Sequence, residues 1–546
     1  MPLLGEHWSD ATAPGLHLHR TAPTLHSDAD DRGTVVTEDT GIDTPERTGM
    51  TPASRSPSMT RRGFLAVGTG TIAAVALASC ATRPRYVTPT GAPVRQAERA
   101  RGGTGRVARV DLVAAPTQID LAGTTAKTWS FGPVPAPTIR LTAGDTLRAT
   151  VRNRLPADTS VHWHGLALRN DMDGVPGATQ APIGAGEDFT YEFVTAQPGT
   201  YWFHPHVGAQ LDRGLYGALI VDDPDEPLVY DEEWVVILDD WLDGVTGTPD
   251  EVLEELRGGM GGMMGGGGHM MMGARSALLG GDAGDVFYPH YLINGRPPAD
   301  PETFTSTPGR RLRIRIINAG SDTAFRVALG GHKLTVTHSD GFPVDPVETD
   351  AILIGMGERY DALVTLRDGA FPLVAAAEGK GETAQAIVRT GTGDTPRASA
   401  TLPELSGSVL TASGLAADRS VVLPTRAVDR ELTATLSGSM MGYDWAINGR
   451  RFDPAEPLAG ALGVTQGERV RLRIENTTQM WHPFHLHGHT YQHSGAGPRK
   501  DTSIILPGKS LTVEFDADNP GLWAAHCHNI YHAEAGMMTI LGYHAA

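Results

Sequence analysis

The chain has only two cysteines in 546 residues, Cys80 and Cys527, far apart and in unlike surroundings. A bridge between them can be drawn on paper, but each thiol stands in a motif of its own. No structural disulfide is expected, so stability must come from packing. Positive charge is also in deficit, with 45 Lys and Arg against 63 Asp and Glu and a net charge of -18. That argues against nucleic acid as a partner, because neutralising phosphates needs a basic surface. An acidic surface favours cations arriving from solution. The apolar run from Ala66 to Leu77 is too short for an ordinary membrane span. The zinc-hydrolase pattern His-Glu-x-x-His does not occur. Apolar content is an ordinary 40%, enough for sizeable cores, and the length suggests two to four domains.

What the chain does have is concentrated near its C-terminus, in His526-Cys527-His528-Asn529-Ile530-Tyr531-His532-Ala533-Glu534-Ala535-Gly536-Met537. A thiolate, two imidazoles and a distant thioether form the ligand set of a blue copper electron-transfer site. Cys527, His532 and Met537 could be three of those ligands, with a second histidine needed from elsewhere. If Cys527 sits on a strand, alternation sends His526 and His528 to the face opposite the thiolate. There each can bind another metal, and an electron can pass from the thiolate through the backbone into that second centre. The bland reading is a buried free cysteine with ordinary neighbours. Three histidines bracketing one cysteine, with methionine following, are too dense for it.

Residues 1 to about 49 are rich in Asp, Thr, His, Pro and Arg without apolar periodicity, a composition that cannot order itself. Thr60-Arg61-Arg62-Gly63-Phe64-Leu65, before the apolar run, looks like a twin-arginine (Tat) export signal. Leu77-Ala78-Ser79-Cys80 resembles a bacterial lipobox, in which cleavage leaves the cysteine to carry lipid; the alternative is a non-lipidated signal with a chance cysteine. Signal peptides sit at the terminus, so the expected start is Met50 or Met59. These features imply export by the Tat translocon and a lipid anchor on the outer face of the cytoplasmic membrane, in the periplasm or cell envelope. A Pro/Arg/Gly-rich tether is expected over about 81 to 105.

A repeat then becomes visible. Gly144 to Asn153, Gly309 to Asn318 and Gly467 to Asn476 each read as a turn glycine, an alternating strand and a closing Asn suited to a turn. Ile293-Asn294-Gly295-Arg296 and Ile447-Asn448-Gly449-Arg450 precede the latter two copies. Repetition at so long a period implies three copies of one domain, and many short strands between Gly/Pro turns imply all-β sandwiches. The domains are placed at 105–225, 226–392 and 426–546, with 393–425 as a long connection. The middle domain carries an insertion, Arg257 to Gly273, that is nearly all Gly and Met. Its soft donors are Met260, Met263, Met264, Met270, Met271 and Met272, with His269. Thioethers suit Cu(I); the alternative is a mobile surface loop in which Met is adaptable bulk.

Three further clusters complete the inventory: His162-Trp163-His164, His204-Pro205-His206, and His482-Pro483-Phe484-His485-Leu486-His487. On a strand, His-x-His puts both rings on one face, and the third cluster can send His482 one way and His485 with His487 the other. The four clusters hold ten of the 21 histidines. No such cluster follows the second repeat, so no catalytic copper is expected in the middle domain. Zinc hydrolysis, the chemical rival, would need three ligands, an open position and a placed carboxylate base.

The four clusters, their order and the threefold repeat resemble the multicopper oxidase family from about residue 105 to the end. The export signal and Met-rich insertion are similar to those of bacterial copper-resistance oxidases. The resemblance implies three cupredoxin-like Greek-key domains and four copper ions. By motif position it gives His482, Cys527 and His532 to the type 1 copper, with Met537 axial, and His162 and His485 to the type 2 copper. The type 3 pair would be held by His164, His206 and His526 on one ion and by His204, His487 and His528 on the other. Asp173, in an Asp-Gly pair, falls where the family keeps a carboxylate for proton delivery; otherwise it is a turn residue. Several cuprous oxidases place Glu directly after the second type 1 histidine, where this chain has Ala533, with Glu534 one later. The expected activity couples one-electron oxidation of Cu(I), as part of copper tolerance, to four-electron reduction of O2 to water by a monomeric enzyme. A laccase-like phenol oxidase or Fe(II) oxidase is the alternative within the class, and a copper-sequestering surface protein the one outside catalysis.

Overall fold

The computed structural model describes residues 84–258, 268–271 and 273–546. The twin arginines, Cys80, Met260, Met263, Met264 and Met272 lie outside the described residues. The described chain folds into three pairs of β-sheets in sequence. The first pair has four strands in each sheet, the second six and six, and the third six and five. Each pair closes over apolar side chains that alternate along its strands, as in Thr146–Asn153, where Leu147, Ala149 and Val151 are fully buried.

The repeated segment occupies the same place in each pair. Thr146–Asn153 runs parallel to Val107–Leu121 and antiparallel to Asp188–Val194. Arg311–Asn318 stands likewise between Glu232–Trp241 and Arg359–Thr365, and Arg469–Asn476 between Arg430–Ser437 and Ser510–Asp516. The closing asparagine does more than end a turn. Asn153 accepts from the Leu155 amide and donates to the carbonyls of Ala157 and Ile183. Asn318 accepts from Gly320 and donates to Thr323 and Ile354; Asn476 accepts from Thr478 and donates to Met480 and Ile505. All three are buried, and each staples the strand end to its own loop and to a more distant segment. Asn294 and Asn448 adopt positive φ in their Ile-Asn-Gly-Arg turns, a conformation Asn tolerates better than most residues.

Two stretches expected to be loose are built into the fold. The tether contains the helix Ala92–Ala100, which buries Val94. Beyond it Arg101 donates to the carbonyls of Ala167 and Leu168 and to Asn519 Oδ1, joining the first domain to the third. The connection 393–425 adds the short strand Val409–Leu410 in parallel to Ala351–Ile352, so it lies along the second domain as an edge strand.

Candidate metal centres

The strand His162–His164 pairs with Gly199–His204, setting His162 opposite His204. In the third domain His482–Leu486 pairs with Leu522–Cys527, setting His485 opposite His526. Histidines of the two strand pairs meet across the domain boundary. His162 stacks on His487 with centroids 3.7 Å apart, and His164 on His485 at 3.8 Å. Four histidines from the first domain thus meet four from the third.

The hydrogen bonds of these rings show which nitrogens are free. His162 Nδ1 contacts the Asp173 carbonyl at 2.9 Å, His204 Nδ1 that of Pro205 at 2.8 Å, and His485 Nδ1 that of Asp501 at 3.0 Å. His526 Nδ1 contacts the Cys527 carbonyl at 2.8 Å, and His487 Nδ1 the Asp173 carboxylate at 3.0 Å. The opposite nitrogens of His162, His204 and His485 are buried without partners, as are His206 Nε2, His164 Nδ1 and both nitrogens of His528. His487 and His526 point their Nε2 atoms at each other, 3.0 Å apart. Orphaned buried imidazole nitrogens are costly unless a metal accepts their lone pairs. Burial lowers the pKa of seven of these eight histidines, His164, His204, His206, His485, His487, His526 and His528, and neighbouring histidines push the same way. Neutral rings with free lone pairs fit metal ions.

The ligand atoms converge in three histidine groups: His162 with His164 and His485; His164 with His204 and His528; and His206 with His487 and His526. The first group contains the expected type 2 pair. The other two assort the remaining six rings differently from the motif-based expectation. His164 joins His204 and His528, and His487 joins His206 and His526. Strand alternation fixes the face a ring takes but not the neighbour it meets across a domain boundary.

On the other face of the Cys527 strand a separate group forms. Cys527 Sγ lies 3.5 Å from His482 Nδ1 and 3.7 Å from His532 Nδ1, and the two nitrogens are 3.0 Å apart. His482 Nε2 meets Thr478 Oγ1 at 2.8 Å, and His532 Nε2 meets Asp285 Oδ2 at 2.8 Å, which leaves the Nδ1 atoms to face the sulfur. Burial lowers the His482 pKa. Burial would lower that of His532 too, but the Asp285 carboxylate overrides it and raises it to about 10. Trp445 packs on both rings, 4.4 Å from His532 and 5.2 Å from His482. Met537 is buried, and its backbone carbonyl accepts from the Cys527 amide.

Asp173 is fully buried and touches ligands of both domains, with Oδ2 on His487 and Oδ1 3.2 Å from His162 Nδ1. Its neighbour Gly174 has φ +81, and a Cβ there would lie 1.9 Å from the Val161 carbonyl. The Asp-Gly pair therefore packs against the residue before His162 and is not a free surface turn. Glu534 is half-buried, with its carboxyl pKa raised by burial. The described end of the Met-rich insertion runs beside Asp285. Met270 bridges Val286, the Met271 amide donates to the Asp285 carbonyl, and the Phe287 amide to that of His269. Asp285, Thr478 and Asp501 hold ligands from behind and Arg359 in turn holds Asp501; nothing in their local sequence marks any of the four.

A cysteine-imidazole group joined through single peptide bonds to a cluster of eight histidines has the donor set of a redox-active metalloprotein. Multicopper oxidase family models match residues 114–226, 232–393 and 426–543. The chain is 49% identical over 497 residues to multicopper oxidase MmcO of Mycobacterium tuberculosis, covering 88% of this chain and 96% of that one. It is 28% identical to a copper resistance protein A homolog of Pseudomonas syringae pv. tomato, covering 78% and 91%. A laccase structure from Botrytis aclada superposes with a TM-score of 0.66 at 27% identity, covering 81% and 88%. The chain belongs to the multicopper oxidase family: it is a copper-dependent oxidoreductase of cupredoxin-like domains that uses O2 and a reductant.

Proposed function

We propose that the protein binds four copper ions and oxidises Cu(I) in copper tolerance, with O2 reduced to water. The type 1 copper would be held by His482, Cys527, His532 and Met537, the type 2 copper by His162 and His485, and the type 3 pair by His164, His204 and His528 and by His206, His487 and His526. When bound, copper supplies one-electron storage and the reduction of O2. The chain's part is to place donors, carry electrons between sites and hold protons. Cys527 is bonded through the backbone to His526 and His528, and this is the observation that carries the reading. An electron arriving at the thiolate has a covalent path to the histidine cluster on the opposite face of the strand. Asp173 is suited to proton delivery, because Oδ1 lacks a hydrogen-bond partner while Oδ2 is fixed on His487.

Cu(I) is favoured as reductant because Met270 and Met271 run beside Asp285, whose carboxylate holds His532. Thioethers are soft donors suited to that ion. The name of the Pseudomonas relative points the same way. The Arg61-Arg62 pair and Cys80 support Tat export and lipid anchoring outside the cytoplasmic membrane. Oxygen consumption measured side by side with Cu(I), Fe(II) and a phenol tests the substrate. Turnover is expected to be fastest with Cu(I) and to fall when 260–272 is deleted. Unchanged Cu(I) turnover after the deletion would make the insertion a spacer.

A further inference from the structure

The middle domain contributes none of the cluster histidines and none of the Cys527-site ligands, yet besides Asp285 a second of its side chains reaches into their support. Arg359 begins the strand Arg359–Thr365 and is fully buried. Its guanidinium grips Asp501 of the third domain in a fork, Nη1 to Oδ1 and Nη2 to Oδ2, each 2.7 Å. Its Nε donates to the Thr200 carbonyl of the first domain at 3.1 Å. One side chain therefore joins all three domains.

Asp501 and its neighbour Thr502 hold two cluster histidines. His164 Nε2 lies 3.2 Å from Asp501 Oδ1 and 3.2 Å from Thr502 Oγ1, and His485 Nδ1 lies 3.0 Å from the Asp501 carbonyl and 3.0 Å from Thr502 Oγ1. His164 is unusual among the eight rings. It alone gives Nε2 to protein oxygens, leaving Nδ1 buried and free. It is also the only ring shared by two of the convergent groups made up solely of histidine. A flipped His164 would withdraw a donor from both. Space around the clamp is tight. A Cβ at Gly165 would lie 2.3 Å from Arg359 Nη2, and one at Gly357 would lie 3.0 Å from His164 Cε1 and 2.9 Å from His528 Cδ2.

We propose that Arg359 is a positioning residue for the trinuclear copper site: its fork fixes the plane of the Asp501 carboxylate, which holds His164 in the orientation that offers Nδ1 to metal. Lysine cannot replace it, because an ammonium is a point contact and cannot fix both carboxylate oxygens. The inference rests on the copper-site reading given above.

The test uses copper-loaded full-length protein and its Arg359→Gln and Arg359→Lys variants. Chelator competition is followed by the type 2 electron paramagnetic resonance signal, with the blue absorption of the Cys527 site as internal reference. Loss of a group that orients a metal ligand weakens metal retention about 10–100-fold. That loss is expected in both variants, with the blue band intact. Arg313→Gln is the control, since Arg313 grips buried Asp361 and Glu226 and makes no hydrogen bond to Asp501 or to a cluster histidine. It is expected to retain type 2 copper. Wild-type retention in the Arg359 variants, or an equal loss in Arg313→Gln, would overturn the proposal. If neither Arg359 variant folds, Asp501→Asn decides, with the same loss expected and full retention overturning it. Wild-type protein without type 2 copper would overturn the copper-site reading as well, whereas a copper-replete wild type with copper-replete variants overturns only the clamp.

Discussion

The copper-free protein should be sensitive to acid in a way the copper-loaded protein is not. Seven cluster histidines have pKa values lowered by burial, so the folded apoprotein holds them neutral, whereas the unfolded chain protonates them near pH 6.5. For a group depressed on folding, the unfolded state binds more protons below its own pKa. Stability is therefore fully present above about pH 6.5 and lost as pH falls below it. Each such group contributes up to about 1.4 kcal/mol per pH unit. The rings are crowded and titrate together, but even one third of the combined effect gives about 3 kcal/mol per unit, against a typical domain stability of about 5–15 kcal/mol. Loss of the structure joining the first and third domains is expected within about two to five units below that point. Copper removes the effect by occupying the lone pairs that protons would take. The assay is thermal melting of matched apo and copper-loaded samples between neutral and mildly acidic pH. The apo melting temperature should fall steeply below about pH 6.5 while that of the loaded protein changes little at first. Parallel pH profiles would refute the reasoning.

Three further outcomes follow from particular contacts. Substituting alanine for Asn153 or Asn318 removes three hydrogen bonds, and for Asn476 four, leaving buried backbone groups unpaired at about 2–4 kcal/mol each; denaturant melts should show similar losses at all three. Gly174→Ala places a Cβ against the Val161 carbonyl and displaces His162, so the type 2 signal should fall while the blue band persists. Asp285→Ala leaves His532 Nε2 and the Tyr443 hydroxyl without their shared buried partner. Retention of type 1 copper should weaken about 10–100-fold, measured by bleaching of the blue band under chelator.

Much of the site could be read from the sequence because its donors are uncommon residues at fixed spacing. One cysteine between histidines, together with strand alternation, separates a Cys527 face from a His526 and His528 face, and the structure has both. The repeat located the central strand of each sheet pair through its glycine, apolar alternation and asparagine. The type 3 grouping was not legible, because which ring meets which depends on how two domains dock. Arg359, Asp501 and Asp285 were equally hidden: Arg and Asp are common, and their importance comes only from distant chain segments meeting. The helix Ala92–Ala100 was missed because its proline- and arginine-rich neighbourhood reads as linker, whereas its order comes from Val94 and Arg101 packing on other domains.

The most direct test of the central arrangement is metal analysis of Cys527→Ser beside the wild type, with visible absorption recorded on the same samples. About four copper equivalents are expected in the wild type. The variant should have lost the blue band and about one equivalent, with the type 2 signal retained. A blue band that survives the substitution, or zinc in place of copper in metal-replete wild-type protein, would contradict it.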